Sequence, residues 1–196
     1  MFGVMEMQQR MPVSRFGTVE LDELPEDLRE RLAPMVERSG FVPNIFRALG
    51  RRPVELRAFL DYHDALMNSD IGLSKAEREL VVVATSATND CQYCVVAHGA
   101  ILRIRSKDPQ LADRVAVNPR GCDLQPRQRA IVDLALALTS DPAELGEAEV
   151  RAARDAGLSD DEIWDVGSIT ALFAMSNRLA HLFALQPNDE FFSMGR

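Results

Sequence analysis

Residues 74–98 read SKAERELVVVATSATNDCQYCVVAH, and the fold turns on how the valines at the centre are read. Val81, Val82 and Val83 are β-branched, so a strand is a real rival. Ser74-x-x-Glu77 argues the other way. It is a capping box, in which each side chain meets the other's backbone N–H, and it starts a helix at Lys75. No turn residue follows until Asn89, a length that suits a helix. Asn89-Asp90 then breaks the chain, and Asp90 is expected to cap a second helix from Cys91 to about Arg105.

The same signals recur on both sides. Pro25 opens a segment from Glu26 to Arg38 that Gly40 ends, with Pro34 inside it expected to kink or split the helix. Asn44–Leu49 lies between Pro43 and Gly50. Pro53 suits a first helical turn, and Leu56, Phe59, Leu60, His63, Leu66 and Met67 form one stripe after it. Arg105 to Asp123 reads as a short helix plus loop. Helices are expected from Pro126 to Ser140 and from Glu147 to Ala156. A second capping box, Ser159–Glu162, opens a long helix to about Leu185. That helix is apolar on most sides, which makes it central to the core or shared with a second subunit. Trp164 and Tyr62 are expected as core or interface aromatics.

The expected fold class is therefore all-α. One domain suffices for 196 residues, with an N-terminal arm at 1–24, a helical core at 25–185 and a C-terminal tail at 186–196. A faint repeat sets Leu73, Arg78, Leu80, Val81, Val83 and Ala84 against Leu124, Arg129, Ile131, Val132, Leu134 and Ala135. It leaves a duplicated helical hairpin open. Glu79 falls opposite Ala130, so packing alone does not ask for its charge.

Composition excludes several functions. Lys plus Arg is 22 against 30 Asp plus Glu, a net charge of −8 without a long basic run, which disfavours nucleic acid. The longest charge-free runs, such as 166–177, are too short to span a bilayer. Met1 to Phe16 holds no apolar stretch of signal length. Cys91, Cys94 and Cys122 cannot build a dense disulfide framework. A cytoplasmic protein without nucleic-acid or membrane partners is expected.

The chemistry lies in Cys91, Cys94 and His98. On a helix these fall within a sector of about 60°. Cα atoms three residues apart are separated by about 5 Å, within reach of a disulfide. A thiol must ionise to attack. The helix N-terminus places positive potential near Cys91. His98, one turn after Cys94, can take its proton, and Glu79 on the preceding helix can orient that imidazole. Zinc is the sharper rival, with Cys91, Cys94 and His98 as ligands and Glu79 or His63 as a fourth. Cysteines of zinc sites, however, usually sit on a turn, and no second pair follows. No metal or bound cofactor is expected. His63 lies on an apolar stripe and reads first as a packed residue. Asn177 and His181, an i, i+4 pair, read as a self-satisfied structural pair, and Cys122 as a spectator.

Glu79-x11-Cys91-x-Tyr93-Cys94-x3-His98 resembles the motif of the AhpD-like alkylhydroperoxidases, within the carboxymuconolactone decarboxylase superfamily. Residues 40–47, GFVPNIFR, resemble the extension of its "peroxidase-related" branch. The resemblance implies an all-helical, oligomeric fold, with a trimer or hexamer expected ahead of a dimer. It implies that Cys94 attacks a hydroperoxide, that Cys91 resolves the sulfenic acid to a disulfide, and that Glu79 and His98 relay protons. An external dithiol of lipoyl or thioredoxin type would restore the thiols. The best-studied members carry His where this chain has Tyr93, which does not titrate near neutrality, so Tyr93 and His63 are expected at most behind the site. Rival readings are a redox-sensing or metal-binding helical module, and a general thiol–disulfide oxidoreductase.

Overall fold

A computed structural model describes residues 11–196 and contains ten α-helices and no strand among them. They are α1 (Glu26–Ser39), α2 (Asn44–Leu49), α3 (Pro53–Met67), α4 (Lys75–Thr88), α5 (Gln92–Ser106), α6 (Leu111–Val117), α7 (Pro126–Ser140), α8 (Glu147–Asp155), α9 (Asp160–Phe183) and α10 (Glu190–Ser193). The part of the N-terminal arm before residue 11 lies outside the described residues. No described helix is long and apolar enough to cross a membrane.

Helix α4 is the axis of the fold. Every residue from Arg78 to Ser86 is buried, because α5, α6, α7 and α9 all pack against it. This explains the valine run. A helix enclosed on all sides wants bulky apolar groups at every position, and burial overrides the strand preference of valine. The Ser74–Glu77 capping box forms as read, with Glu77 N–H donating to Ser74 Oγ at 3.3 Å and Ser74 N–H to Glu77 Oε2 at 2.9 Å. The Ser159–Glu162 box does the same for α9. Arg127 on α7 joins both boxes, bonding Glu77 at 2.7 Å and also Glu162.

Arg78 is fully buried. Its guanidinium donates to the carbonyls of Leu66 at 2.7 Å, Leu73 at 3.0 Å and Ile71, and pairs with Asp165 of α9 at 2.8 Å. It thus wraps the loop that leads into α4. Arg129, its counterpart in the faint repeat, wraps the loop before α7 through the carbonyls of Pro119, at 2.8 Å, and Cys122. The matched residues therefore do matched work, whatever their origin.

Four expectations need correction. Pro34 neither splits α1 nor ends it; the helix runs unbroken to Ser39. The N-cap of α5 is Cys91, and Asp90 instead takes a left-handed turn at φ 53°. Trp164 and Tyr62, expected as core or interface aromatics, are not in the core, being 76% and 49% exposed, which leaves only the interface half of that expectation. The C-terminal segment is built in: Phe191 is buried, and Arg103 of α5 donates to the carbonyls of Phe191 and Met194, both at 2.9 Å.

Replacing Arg78 by Met keeps the stem but leaves Asp165 and three carbonyls without their partner. The expected loss is about 3–5 kcal/mol of stability in urea unfolding followed by circular dichroism. A loss below about 1 kcal/mol, the level of an exposed pair, would show that the clamp is dispensable.

Candidate active site

Burial forces the first contact. Glu79 is 2% exposed in the middle of α4, and a carboxylate there needs partners. Helix α5 supplies both. His98 Nδ1 bonds Glu79 Oε2 at 2.8 Å, and Arg105 Nη1 meets Glu79 Oε1 at 2.9 Å. His98 and Arg105 are seven residues apart, so they share a face of α5 and close on one carboxylate. The Glu79 bond keeps a proton on Nδ1 and leaves Nε2 of the neutral ring as the base. Phe173 of α9 packs its ring against His98, edge-on at 4.7 Å.

Cys94 lies one turn and Cys91 two turns before His98, at the start of α5, both buried and both as free thiols. The α4–α5 turn fixes Cys91, whose N–H donates to Ser86 O at 2.9 Å. A hydrogen bond from Cys94 outweighs burial and, with the His181 charge and the Asn177 amide, brings Cys91 down to about 7. The Cys91 sulfur and burial push Cys94 up. The pair therefore loses its first proton near neutral pH, and the charge rests on Cys91, as expected for the sulfur nearest the helix start. No hydrogen bond joins His98 to Cys94 among the described residues.

Other expected residues divide. Tyr93 is buried, and its hydroxyl accepts the backbone N–H of Ile45 at 3.1 Å. Its work is to fasten α2 to α5, and burial raises its pKa strongly. His63 is half-buried, bonds Asp64 at 3.1 Å and stands between Phe59 and Phe173. It is thus one ring removed from His98. Cys122 stays apart in the loop before α7. Among the described residues no group of three or more His, Cys, Asp or Glu could hold a metal ion, so Cys91, Cys94, His98 and Glu79 do not converge as a zinc site.

Arg105 escaped the sequence reading, and Asn177 and His181, read there as a pair that satisfies itself, instead bond residues of the α4–α5 region. Arg105 was two turns from His98 on the same face, a spacing that could have exposed it. Asn177 of α9 is fully buried against Ser86, whose carbonyl accepts the Cys91 N–H. Its Nδ2 donates to Ser86 Oγ at 3.0 Å, and its Oδ1 accepts from Asn89 Nδ2 at 3.0 Å. His181 Nε2 bonds Asn89 O at 2.8 Å.

The family model for the carboxymuconolactone decarboxylase family matches residues 53–119, which hold α3 to α6 and the whole Glu79–His98 motif. No curated protein matches the chain. A Ralstonia eutropha JMP134 protein, described as an alkylhydroperoxidase AhpD core and an uncharacterized peroxidase-related protein, is 53% identical over 95% of this chain and 98% of its own, with a TM-score of 0.92. A peroxidase-related protein from Silicibacter sp. TM1040 is 36% identical over 97% of this chain and all of its own, with a TM-score of 0.87. A debrominase solved with 2,3,4-tribromopyrrole shares the fold at 18% identity, over 87% of this chain and 92% of its own, with a TM-score of 0.72.

With Cys122 replaced by Ser, iodoacetamide alkylation of the reduced protein should be half-maximal near pH 7 and fall away below it. Cys91→Ser should move that half-point upward, because the low value belongs to Cys91. Cys94→Ser should also raise it, by removing the hydrogen bond. An unshifted curve in both variants would place the acidic thiol elsewhere.

Proposed function

The chain belongs to the AhpD-like proteins of the carboxymuconolactone decarboxylase superfamily, and from that premise we propose that it is a thiol peroxidase, reducing a hydroperoxide at Cys94 and closing a disulfide with Cys91. The observation that carries this reading is the Glu79–His98 hydrogen bond, set beside two buried thiols at the start of the same helix.

The Cys94 thiolate attacks the terminal oxygen of the hydroperoxide. An S–O bond forms, the O–O bond breaks, and the electron pair leaves on the alkoxide. His98, having taken the Cys94 proton, returns one to the alkoxide as the alcohol departs. Cys94 is left as a sulfenic acid. The Cys91 thiolate then attacks the Cys94 sulfur, and hydroxide leaves as water once protonated. A dithiol, of lipoyl or thioredoxin type, reduces the disulfide and is itself oxidised. Glu79 keeps His98 oriented, and Arg105, on the other carboxylate oxygen, holds Glu79 facing it.

A second reading exchanges the cysteines, and one observation favours it: Cys91 is the more acidic thiol. Against it stands the position of His98, one helical turn beyond Cys94 and not beyond Cys91. A homo-oligomer completes the proposal. Trp164, Ala171, Met175 and Leu182 form an exposed stripe along α9, at the seven- and four-residue steps of a helix seam.

Peroxide consumption with a dithiol reductant should vanish in Cys94→Ser. Cys91→Ser, given one equivalent of peroxide, should trap a sulfenic acid on Cys94 by dimedone labelling and mass spectrometry; the label on Cys91 in Cys94→Ser would exchange the roles. Glu79→Gln should slow turnover by about 10²-fold and His98→Ala by more, toward about 10⁴-fold. Glu77→Gln, on the same helix but at its cap, should leave the rate unchanged. Dithiol–disulfide exchange without peroxide consumption would assign the protein to general thiol oxidoreduction instead. Light scattering should give a homo-oligomer, and Trp164→Glu should weaken it.

A further inference from the structure

Orienting an imidazole takes one carboxylate oxygen, and a neutral donor would satisfy the other. Glu79 instead meets a full positive charge there: Arg105 Nη1 stands 2.9 Å from Oε1, while Oε2 takes His98 Nδ1 at 2.8 Å. The Arg105 side chain is 27% exposed against 2% for Glu79, so its stem runs in from the surface and its head reaches the buried carboxylate. The same Nη1 donates to the carbonyl of Lys75 at 3.4 Å. Lys75 and Glu79 are one turn apart on α4, which seats the guanidinium over the turn that carries the carboxylate. The other cations of this region are engaged elsewhere. Lys75 pairs with Asp70 at 3.2 Å, Arg78 with Asp165, and Arg127 with Glu77 and Glu162.

Charge decides what this contact does. A site withdrawn from water favours the protonation states that leave the least net charge. For Glu79 and His98 alone, that state is carboxylate with imidazolium. An imidazolium has no free lone pair and accepts no thiol proton. With Arg105 included, the guanidinium already balances the carboxylate, and the neutral set is the one in which the ring is uncharged. The proton then stays on Nδ1, facing Glu79, and Nε2 keeps its lone pair. The same Glu79–His98 bond can therefore hold an acid or a base, and the cation on the second oxygen selects the base.

We propose that Arg105 is a positioning residue that acts on His98 through Glu79: its charge, more than its hydrogen bond, keeps the resting imidazole neutral and so able to take a proton. The proposal deepens the reading of His98 as the base of the thiol chemistry, and it depends neither on which cysteine attacks nor on a hydroperoxide as substrate. The charged and titratable groups around His98 are Glu79 of α4, Arg105 and Cys94 of α5 and, beyond the Phe173 ring of α9, His63 of α3 with its partner Asp64. Asp113 of α6 is occupied by Arg196 at 2.9 and 3.0 Å. The substitutions below retain all of these except Arg105.

The test is nuclear magnetic resonance of the reduced full chain labelled with ¹⁵N-histidine. Long-range ¹H–¹⁵N spectra across pH 5–9 report which ring nitrogens carry protons, and the His98 signals are assigned by their loss in His98→Ala. The parent should show, at pH 7, a neutral His98 ring with its proton on Nδ1. Arg105→Met keeps the stem and removes the charge, so the ring should hold its second proton to higher pH, with the midpoint moved up by about one pH unit, a tenfold change in proton affinity. Arg105→Gln keeps an N–H for Glu79 without the charge and should shift the midpoint the same way. Arg105→Lys keeps the charge and should stay close to the parent. Melting temperature is recorded beside each curve. A lower melting temperature with a His98 curve that overlays the parent in Arg105→Met would make Arg105 a tie between helices and overturn the proposal. If Arg105→Met does not fold, an unshifted curve in Arg105→Gln overturns it equally. Peroxide takes no part in the measurement, so loss of the peroxidase reading and loss of this one are separate results.

Discussion

A carboxylate withdrawn from water must be answered by charge or by hydrogen bonds, and Glu79 is answered by both. One oxygen takes the imidazole of His98 and the other the guanidinium of Arg105. This demand links α4 to α5 at a fixed register, because two residues seven apart can meet one carboxylate only if the helices lie side by side. The register then decides where the start of α5 falls, and with it where Cys91 and Cys94 stand relative to α9. Glu79 thus joins the two helices and fixes the orientation of the His98 ring.

The thiols answer to two neighbours. Helix α5 carries His98 beyond them, and α9 carries Asn177 and His181 against the turn that holds Cys91. The two sets act on different things. The His98 side is tied to Glu79 on α4, whereas the α9 side is tied to Ser86 and Asn89 at the α4–α5 turn.

Much of the fold was legible because its signals are local. Both capping boxes, Pro53 and Pro126 at first turns, and Gly40 after α1 each report a boundary on their own. Glu79 and His98 could be paired from spacing because both sit on well-marked helices. What escaped depended on three dimensions. Asp90 was the better cap by residue type, yet the turn puts it in the left-handed region and hands the cap to Cys91. Asn177 and His181 could be paired with each other, but nothing local says that α9 crosses the α4–α5 turn. By type Trp164 could be a core or an interface residue, and its exposure is set by which face of α9 the neighbouring helices leave open. Pro34 was read as a kink or a split, and α1 runs through it without splitting.

The chemical groups sit almost wholly on regular structure. Glu79 and Ser86 are on α4; Cys94, His98 and Arg105 are on α5; Ser176, Asn177 and His181 are on α9. Many enzymes take on new substrates by lengthening or reshaping surface loops while the frame stays fixed. That path is narrow here, since an insertion within any of these helices would rotate its side chains out of register. On this frame a new reaction has to arise by exchange of side chains at constant backbone. Divergence should therefore leave the helix lengths from α4 to α5 alone and write its changes into single positions such as Tyr93.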